Sequence, residues 1–380
     1  MSKPFRLSDV CEIIMGQAPA GSSYNDRGIG YALIAGAGDF GEITPKPKKH
    51  TTEASKISKV GDIIMCIRAT IGDLNWSDKE YCLGRGVAGL RPKKNLNIRY
   101  LWHYLNANKI HLSAKGTGST FKQISRVHIE ECKIALPSLE EQERIASILD
   151  KIDGISCKRR QAIKLADDFL RSTFFQMFGD LETNPKKFPI GTIRDIVSSV
   201  NYGSSEKASE HSGKYPMLRM GNITYQGCWD FTDLKYIDLD EKSKDKFLVR
   251  KGDLLFNRTN SKELVGKTAV FENDTEMAFA GYLVRVRANE FGNNYYISGY
   301  LNSLHGKSTL VNMSKSIVGM ANINAQEMQN IKILIPPKEL QDKYEEIYKA
   351  VKIRVNTHIE SKKELEKLFN TLSNQFFNLC

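Results

Sequence analysis

The sequence predicts an α+β fold in which two globular domains are joined by two long helices, paired antiparallel as a coiled coil. Three observations lead to this fold class. The chain repeats itself at an offset that drifts from about 184 to 199 residues. Each repeat opens with short β-rich runs between turn residues, and each ends with a proline followed by a long helical pattern. The duplication gives the predicted fold a pseudo-two-fold internal repeat.

Five pairs of segments occur in the same order in the two halves. They are YALIAGAGDFG (31–41) with YPMLRMGNITYQG (215–227), KVGDIIMCIR (59–68) with RKGDLLFNR (250–258), GLRPKKN (89–95) with RVRANEF (285–291), YLWHYLN (100–106) with YISGYLN (296–302), and QISRVHIEECKIALPSLEEQ (123–142) with NINAQEMQNIKILIPPKELQ (322–341). Loops of different length explain why the offset changes. The shared order indicates a duplicated plan.

The repeat divides the chain into four parts, with globular domains at 1–137 and 181–336 and long helices at 138–180 and 337–380. Within the domains, a Gly-Asp turn precedes each of the β-rich runs Asp62–Ile67 and Asp253–Phe256. The charges of the four parts in chain order are +8, −1, +3 and +1. The globular domains therefore carry the excess positive charge, as parts that touch a polyanion should.

The two helical patterns start and stop at similar signals. The first follows Pro137, has Ser138 as its cap and runs to about Phe178. The second follows the Pro-Pro pair that ends at Pro337 and runs to about Phe377. Each helix has about 40 residues and would be about 60 Å long.

A seam of mainly apolar residues, spaced alternately by four and three, runs along each helix, which is the period of a coiled coil. Its apolar members include Ile145, Leu149, Ile152, Ile163 and Leu170 in the first helix, and Tyr344, Val351, Val355, Leu365 and Phe369 in the second. A lone helix cannot bury such a seam. Each helix leaves one domain and reaches toward the other, so antiparallel pairing is favoured. The alternative is that each helix packs separately on its own domain.

The net charge of +11 arises from 55 Lys and Arg against 44 Asp and Glu, and makes a polyanion a plausible partner. The seven cysteines are odd in number and form no CxxC pair, so we expect reduced thiols in the cytoplasm rather than zinc sites or disulfides. No run of 18 apolar residues occurs and the N-terminus has no apolar signal region, so no membrane association is expected.

The common catalytic motifs are missing from the sequence. GAGDFG (36–41) fits GxGxxG, but Pro45 and Pro47 forbid the helix that must follow a dinucleotide-binding loop. P-loop, HExxH and GxSxG motifs do not occur, and neither do a Pro-Asp dipeptide or an Asn-Pro-Pro-aromatic motif. We therefore predict no catalytic residues, no cofactor site and no metal site in this chain.

The proline and Glu-Gln helix start occurs twice, as LPSLEEQERIASILDKID (136–153) and IPPKELQDKY (335–344). GDIIMCIRATIG (61–72) and GDLLFNRTNSKELVGKTAVF (252–271) form a second repeated element. In these segments the sequence resembles the specificity (S) subunits of type I restriction-modification systems, and the resemblance covers essentially the whole chain. The second helix start departs from the pattern, with Leu340 in place of Glu141.

The resemblance implies that each globular domain is a target-recognition domain that reads one half of a bipartite, asymmetric target in double-stranded DNA, while the paired helices fix the gap. It implies a non-catalytic subunit that recruits two modification subunits, which carry S-adenosylmethionine and methylate DNA. Restriction subunits join to complete a phage-defence complex. An S-type subunit of a modification-only or related defence system is the alternative. An enzyme and a structural or RNA-binding module are the other classes of protein weighed.

Arg and Lys can bond guanine, Asn and Gln can bond adenine, and all of them can hold phosphate. The DNA-contacting candidates lie in matched loops of the two domains. In the first domain they are Arg68, Thr70, Thr117, Ser119, Thr120 and Lys122, and in the second they are Arg219, Asn222, Asn257, Arg258, Thr259, Asn260 and Lys262.

Overall fold

A computed structural model of the chain describes residues 4–118, 122–317 and 320–377, with the backbone alone for 315–317. The chain divides into two compact units. Unit 1 comprises the residues up to Arg159 and those from Glu360 onward, and unit 2 comprises Arg160–Ile359. Each long helix therefore gives one end to each unit. The four-part division predicted from sequence treats each long helix as a separate part. The boundaries of the compact units instead lie within both helices, after Arg159 and after Ile359.

In its described residues, unit 1 has three small sheets, four short helices and one end of each long helix. Its strands are β1 (Phe5–Arg6), β2 (Cys11–Met15), β3 (Tyr24–Asn25), β4 (Tyr31–Ile34), β5 (Lys49–Thr51), β6 (Ile63–Cys66), β7 (Leu74–Trp76), β8 (Cys82–Leu83), β9 (Val87–Pro92) and β10 (Lys133–Ile134). Its helices are α1 (Leu7–Val10), α2 (Ile98–Ala107), α3 (Lys109–Ala114), α4 (Arg126–Glu130) and the start of α5 (Leu139–Phe178). The sheet orders are β2-β9-β6-β7, β3-β5-β4-β8 and β1-β10.

Unit 2 repeats this plan with additional strands. Its strands are β11 (Ile190–Thr192), β12 (Val197–Tyr202), β13 (Tyr215–Leu218), β14 (Lys235–Ile237), β15 (Leu248–Val249), β16 (Leu254–Asn257), β17 (Thr259–Asn260), β18 (Thr268–Val270), β19 (Met277–Phe279), β20 (Leu283–Ala288), β21 (Lys315–Ile317), β22 (Met320–Asn322) and β23 (Lys332–Leu334). Its helices are α6 (Glu241–Phe247), α7 (Asn294–Asn302), α8 (Leu304–Met313), α9 (Ala325–Gln329) and the start of α10 (Lys338–Phe377). The sheet orders are β12-β20-β16-β18, β14-β13-β19-β15, β17-β22-β21 and β11-β23.

The Gly-Asp turns have the same structural role in the two units. Gly61 and Gly252 have φ of +87° and +91°, a conformation that a side chain would strain. The buried Asp62 carboxylate accepts two hydrogen bonds from Arg91, at 2.9 and 2.8 Å. The buried Asp253 carboxylate likewise accepts two from Arg287, at 2.7 and 3.0 Å. These bidentate pairs tie β6 to β9 and β16 to β20, which confirms the match between GLRPKKN and RVRANEF.

Contacts inside each unit show that the two long helices run antiparallel. In unit 1 the last turn of α10 packs on the domain, where the ring of Phe377 lies 5.1 Å from the ring of Tyr100. In unit 2 the last turn of α5 does the same, and the ring of Phe178 lies 4.6 Å from that of Tyr296. The end of each helix thus packs beside the start of the other. The predicted antiparallel pair is confirmed, and the alternative of helices packed separately is wrong.

The predicted seam lies in the interior along both helices. Five of its residues are below a tenth exposed in α5 or at the start of α10: Ile145, Leu149, Ile152, Leu170 and Tyr344. Val355 is also buried, at 4% exposed, and Ile163, Val351, Leu365 and Phe369 are half-buried. Leu365 and Phe369 pack against the core of unit 1. The helices are therefore structural parts of both cores as well as connectors between domains.

A buried glutamine in the first turn of each long helix joins that helix to its domain. Gln142 donates from Nε2 to the carbonyl oxygens of Asn95 and Pro137, at 3.0 and 2.9 Å, and its Oε1 accepts from the Asn97 N–H at 2.8 Å. Gln341 repeats the two donated bonds, to Phe291 and Pro336, at 2.9 Å each. Both glutamines are fully buried. The Glu-Gln helix start therefore has a physical role in closing the domain.

We expect Gln142→Leu to destabilise unit 1 by about 2–4 kcal/mol, because it leaves a buried N–H and two carbonyl oxygens without partners. The measurement is the free energy of unfolding in urea. Gln161→Leu is the matched control, since Gln161 lies exposed on the same helix. Equal stability of the two variants would contradict the proposed role of Gln142.

Candidate nucleic-acid interface

Four of the predicted DNA-contacting residues of unit 2 lie in or beside β17 of the small sheet β17-β22-β21, namely Arg258, Thr259, Asn260 and Lys262. Strand β16 runs through Arg258 directly into β17, where Thr259 is paired with Asn322. The Ile323 N–H donates to the Arg258 carbonyl oxygen at 2.9 Å. β17 is an edge strand of this sheet, so Thr259 and Asn260 lie on its edge and Lys262 follows shortly after it.

Arg258 is held by weak contacts around its guanidinium group. The guanidinium lies 5.0 Å from the centre of the Tyr202 ring, a cation–π distance. It donates from Nη1 to the Gly281 carbonyl oxygen and from Nη2 to Asn322 Oδ1, both at 3.4 Å, while Nε is buried without a hydrogen-bond partner. Within the described part of the chain, no carboxylate forms an ion pair with it. The guanidinium is held in place, but its hydrogen-bonding capacity is only partly used. It can therefore donate further hydrogen bonds to a planar acceptor group of a ligand.

Tyr202 and Asn322 fix the place of this arginine. The Tyr202 hydroxyl accepts from the Ala325 N–H at 3.0 Å, and Asn322 Nδ2 donates to Thr259 Oγ1 at 2.9 Å. Tyr202 is 43% exposed, so one side of the stack faces solvent. Sequence reasoning missed both residues. Asn322 begins one of the paired segments, where it matches Gln123, the residue that forms bridges with the predicted candidates Arg68 and Thr117.

Asn222 and Asn257 do not lie on an accessible surface, which disagrees with their prediction as direct DNA contacts. Asn222 is 3% exposed, and its amide bonds the Arg219 N–H and the carbonyl oxygens of Asp230 and Asp233. Asn257 is fully buried, donates to the Met220 carbonyl oxygen at 3.3 Å and accepts from the Thr259 N–H. Their side chains stabilise turns inside the domain, because an amide can satisfy two backbone groups at once.

The remaining candidates of unit 2 differ in how free their side chains are. Arg219 pairs with Asp233 at 2.8 Å, but that carboxylate is 82% exposed, so the ion pair is weak. Asn260 is half-buried, and its Oδ1 accepts from the N–H of the next residue at 2.9 Å. Lys262 is exposed. Among the predicted cations of unit 2, Arg219 therefore has a carboxylate partner, whereas Arg258 and Lys262 have none within the described residues.

In unit 1 the same backbone arrangement brings three separate segments together. Arg68 and Thr117 each form a bridge with Gln123, and the Ala69 N–H donates to the Lys122 carbonyl oxygen at 3.0 Å. Thr70, Thr117 and Lys122 are exposed, and Arg68 is half-exposed. The predicted candidates Ser119 and Thr120 lie outside the described residues. The loops predicted to act together in unit 1 are therefore adjacent.

The structure corrects the alignment of the two arginines by one residue. The Ile124 N–H donates to the carbonyl oxygen of Ile67, and the Ile323 N–H donates to that of Arg258, at 3.0 and 2.9 Å. Arg258 is thus equivalent to Ile67, and Arg68 is equivalent to Thr259. The sequence match had ended both segments on an arginine, which placed Arg68 opposite Arg258.

Two further lysines of unit 2, Lys267 and Lys307, lie near enough to each other to interact electrostatically. Lys267 is 6% exposed and donates to the Met220 carbonyl oxygen at 2.8 Å, and burial lowers its pKa. Burial, together with the charges of Arg171 and Lys267, lowers the pKa of Lys307 to about 8. Among the described residues no ion pair to a carboxylate involves Lys267 or Lys307. Sequence reasoning did not single out these two lysines.

The described residues hold no group of His, Cys, Asp and Glu that could bind a metal ion. No helix in that part of the chain is both long enough and apolar enough to cross a membrane. What the site offers chemically is a set of hydrogen-bond donors, amides and cations on strand edges. Such groups bind polyanions and base edges by contact.

Two copies of one α+β scaffold, each exposing cations and polar side chains where several loops meet, form a two-part nucleic-acid-recognition protein. A family model described as the type I restriction modification DNA specificity domain matches residues 2–165 and 185–367. The chain therefore belongs to this family of DNA specificity proteins.

Individual proteins agree with this assignment. A Methanocaldococcus jannaschii protein, by name the MjaX specificity subunit of a type I restriction enzyme, is 39% identical over 152 residues, 40% of this chain and 36% of that protein. The Escherichia coli (strain K12) type I restriction enzyme EcoKI specificity subunit is 22% identical over 327 residues, 80% of this chain and 70% of that protein. A crystal structure of a type I restriction-modification S subunit from M. genitalium has a TM-score of 0.63 at 14% identity, and the match covers 99% of this chain and 96% of that one. The last comparison shows a shared fold.

Proposed function

We propose that this chain is the DNA-recognition subunit of a type I restriction-modification complex. In this proposal each unit reads one part of a bipartite target in double-stranded DNA. The observation that carries the proposal is that the corresponding loops of both units carry cations with no ion pair to a carboxylate among the described residues: Arg258 and Lys262 in unit 2, and Arg68 and Lys122 in unit 1. Because these sets differ, the two parts of the target should differ, which makes the target asymmetric.

The long helices would set the gap between the two parts of the target. A pair of helices with a buried seam is stiff, whereas a Gly/Ser linker has a fluctuating reach. The seam residues, buried or half-buried along both helices, support such a rigid spacer. A protein with two related reading units should contact DNA sites at a defined spacing, about one helical turn or a multiple of it.

In this proposal the chain has no catalysis of its own. Two modification subunits would bind it in the cytoplasm and supply S-adenosylmethionine and methyl transfer, and restriction subunits would supply cleavage. The unpaired cations support contact with phosphates as well as bases, since most of the affinity for DNA comes from the backbone. Binding should therefore weaken steeply as salt concentration rises.

The test is expression of the chain with its methyltransferase partner in a host that lacks other DNA methylation, followed by sequencing of methylated bases. We expect one bipartite motif with two unlike parts, present only when the chain is co-expressed. The purified chain alone should not transfer methyl groups from S-adenosylmethionine to DNA. Methylation that is unchanged when the chain is omitted would refute the proposed function.

A further inference from the structure

We propose that Arg85 is a base-reading residue of unit 1 and takes the part that Arg258 plays in unit 2. This inference rests on the proposed function and deepens it by naming a contact for the first part of the target. The acceptor that it should recognise is a guanine edge in the major groove, since an arginine can bond O6 and N7 together.

Backbone hydrogen bonds establish which residues of the two units are equivalent at this place. The Ile67 N–H donates to the Gly86 carbonyl oxygen at 2.9 Å, and the Arg258 N–H donates to that of Tyr282 at 3.0 Å. Gly86 therefore matches Tyr282, and Arg85 matches Gly281. The Gly281 carbonyl oxygen is the atom to which Arg258 Nη1 donates. The backbone of Arg85 therefore occupies the position in unit 1 that corresponds to the residue contacted by the Arg258 guanidinium in unit 2.

Unit 1 differs from unit 2 both at the position of Arg258 and at the position of Tyr202, the ring that lies against its guanidinium group. The Gln17 N–H donates to the Leu83 carbonyl oxygen at 2.8 Å, and the Ser204 N–H donates to that of Phe279 at 2.9 Å, so Met15 matches Tyr202. Where unit 2 has the Tyr202–Arg258 stack, unit 1 has Met15 and a 4% exposed Ile67. Unit 1 lacks the stacked arginine and has instead an arginine on the neighbouring segment.

The segment around Arg85 is held rigidly by its two flanking glycines. A Cβ atom on Gly86 would lie 2.2 Å from the Ala35 carbonyl oxygen, and one on Gly84 would lie 2.8 Å from that of Ile34. Gly84 and Gly86 also donate backbone hydrogen bonds to these same two oxygens, at 2.8 and 3.1 Å. The backbone on both sides of Arg85 is therefore fixed against the end of β4. A side chain on such a segment is presented to a ligand from a rigid base.

The side chain of Arg85 is free to bind. It is exposed, and no hydrogen bond or ion pair involves it within residues 4–118, 122–317 and 320–377. By contrast, Arg91 and Arg99 in the same unit both pair with carboxylates. The hydrogen bond between Ile67 and Gly86 places Arg85 next to the strand end that carries Arg68. The two arginines thus lie on neighbouring segments of the same predicted surface.

The test compares Arg85→Ala and Arg85→Lys with Arg126→Ala in the full chain, co-expressed with the methyltransferase partner. Arg126 is the matched control, because it is an exposed arginine of unit 1 that pairs with Glu130 on its own helix. Methylated sites are sequenced in each case. We expect Arg85→Ala to relax one base pair in one part of the target, or to lower methylation of the original target roughly 5- to 150-fold. The other part of the target should be unchanged, and Arg126→Ala should behave like the wild type.

Arg85→Lys distinguishes base reading from phosphate contact, since lysine keeps the charge but loses the bidentate geometry. We expect it to relax the same base pair as Arg85→Ala. An unchanged motif in Arg85→Ala, or a uniform loss of binding to all sequences that Arg85→Lys restores, would overturn base reading by Arg85. A wild-type complex that makes no bipartite motif would instead refute the proposed function itself.

Discussion

Replacing Arg258 with alanine should relax or abolish recognition of one part of the target and leave the other part intact. The physical reason is that its guanidinium is positioned over Tyr202 but makes only long hydrogen bonds of 3.4 Å, so it can still donate to a base edge. Loss of a bidentate base contact costs about 1–3 kcal/mol of discrimination. Sequencing of methylated sites in the reconstituted complex gives the motif for each variant.

Arg250→Ala is the matched control for this prediction, because Arg250 is an exposed arginine of unit 2 whose partner Asp245 is 91% exposed. It removes the same charge from the same unit. Tyr202→Ala should produce a milder form of the Arg258 phenotype, since it removes the ring that positions the guanidinium. If Arg258→Ala and Arg250→Ala gave the same unaltered motif, Arg258 would not be a base-reading residue.

Lengthening both long helices by seven residues should widen the gap in the target by about 3 base pairs. The insertions belong between Arg159 and Arg160 in α5 and between Ile359 and Glu360 in α10, where the chain passes from one unit to the other. Seven helical residues add about 10 Å, and base pairs stack about 3.4 Å apart. A whole heptad keeps the seam in register, so pairing of the helices is preserved. The measurement is again the methylated motif.

Insertion into one helix alone provides the control for the spacer experiment. It shifts one seam against the other, so we expect a loss of thermal stability and of methylation rather than a new gap. A double insertion that folds, methylates DNA and keeps the original gap would show that the helices do not set the spacing.

The long helices were the part of the fold that could be predicted most closely. Their starts after Pro137 and Pro337 and their ends at Phe178 and Phe377 agree with the structure, because proline, caps and periodicity are local signals. The antiparallel pairing followed from connectivity alone. Local signals also located the Gly-Asp turns, but not the partners of their aspartates, which lie on strands distant in the chain.

The candidate site was predicted less completely, because the same residue type can hold a turn or contact a ligand. Asn222 and Asn260 are both asparagines in matched loops, yet one is buried under three hydrogen bonds and the other is half-buried on a strand edge. Counting from the shared Gly-Asp turns already places Arg258 opposite Ile67, but the sequence match followed the two arginines, which lie one residue apart. The proposed role of Arg85 could not be inferred from the repeat, because its counterpart in unit 2, Gly281, has no side chain.

The packing of Phe377 on Tyr100 and Tyr104 has a consequence for biosynthesis. The N-terminal domain emerges from the ribosome long before the last turns of α10 are synthesised. These turns complete the core of that domain. Until these turns have been made, the nascent domain exposes the two tyrosine rings and the apolar side of α5. The core of the first domain is therefore completed late, and a chain cut short within the last turns of α10 would leave its first domain, not its second, unfinished.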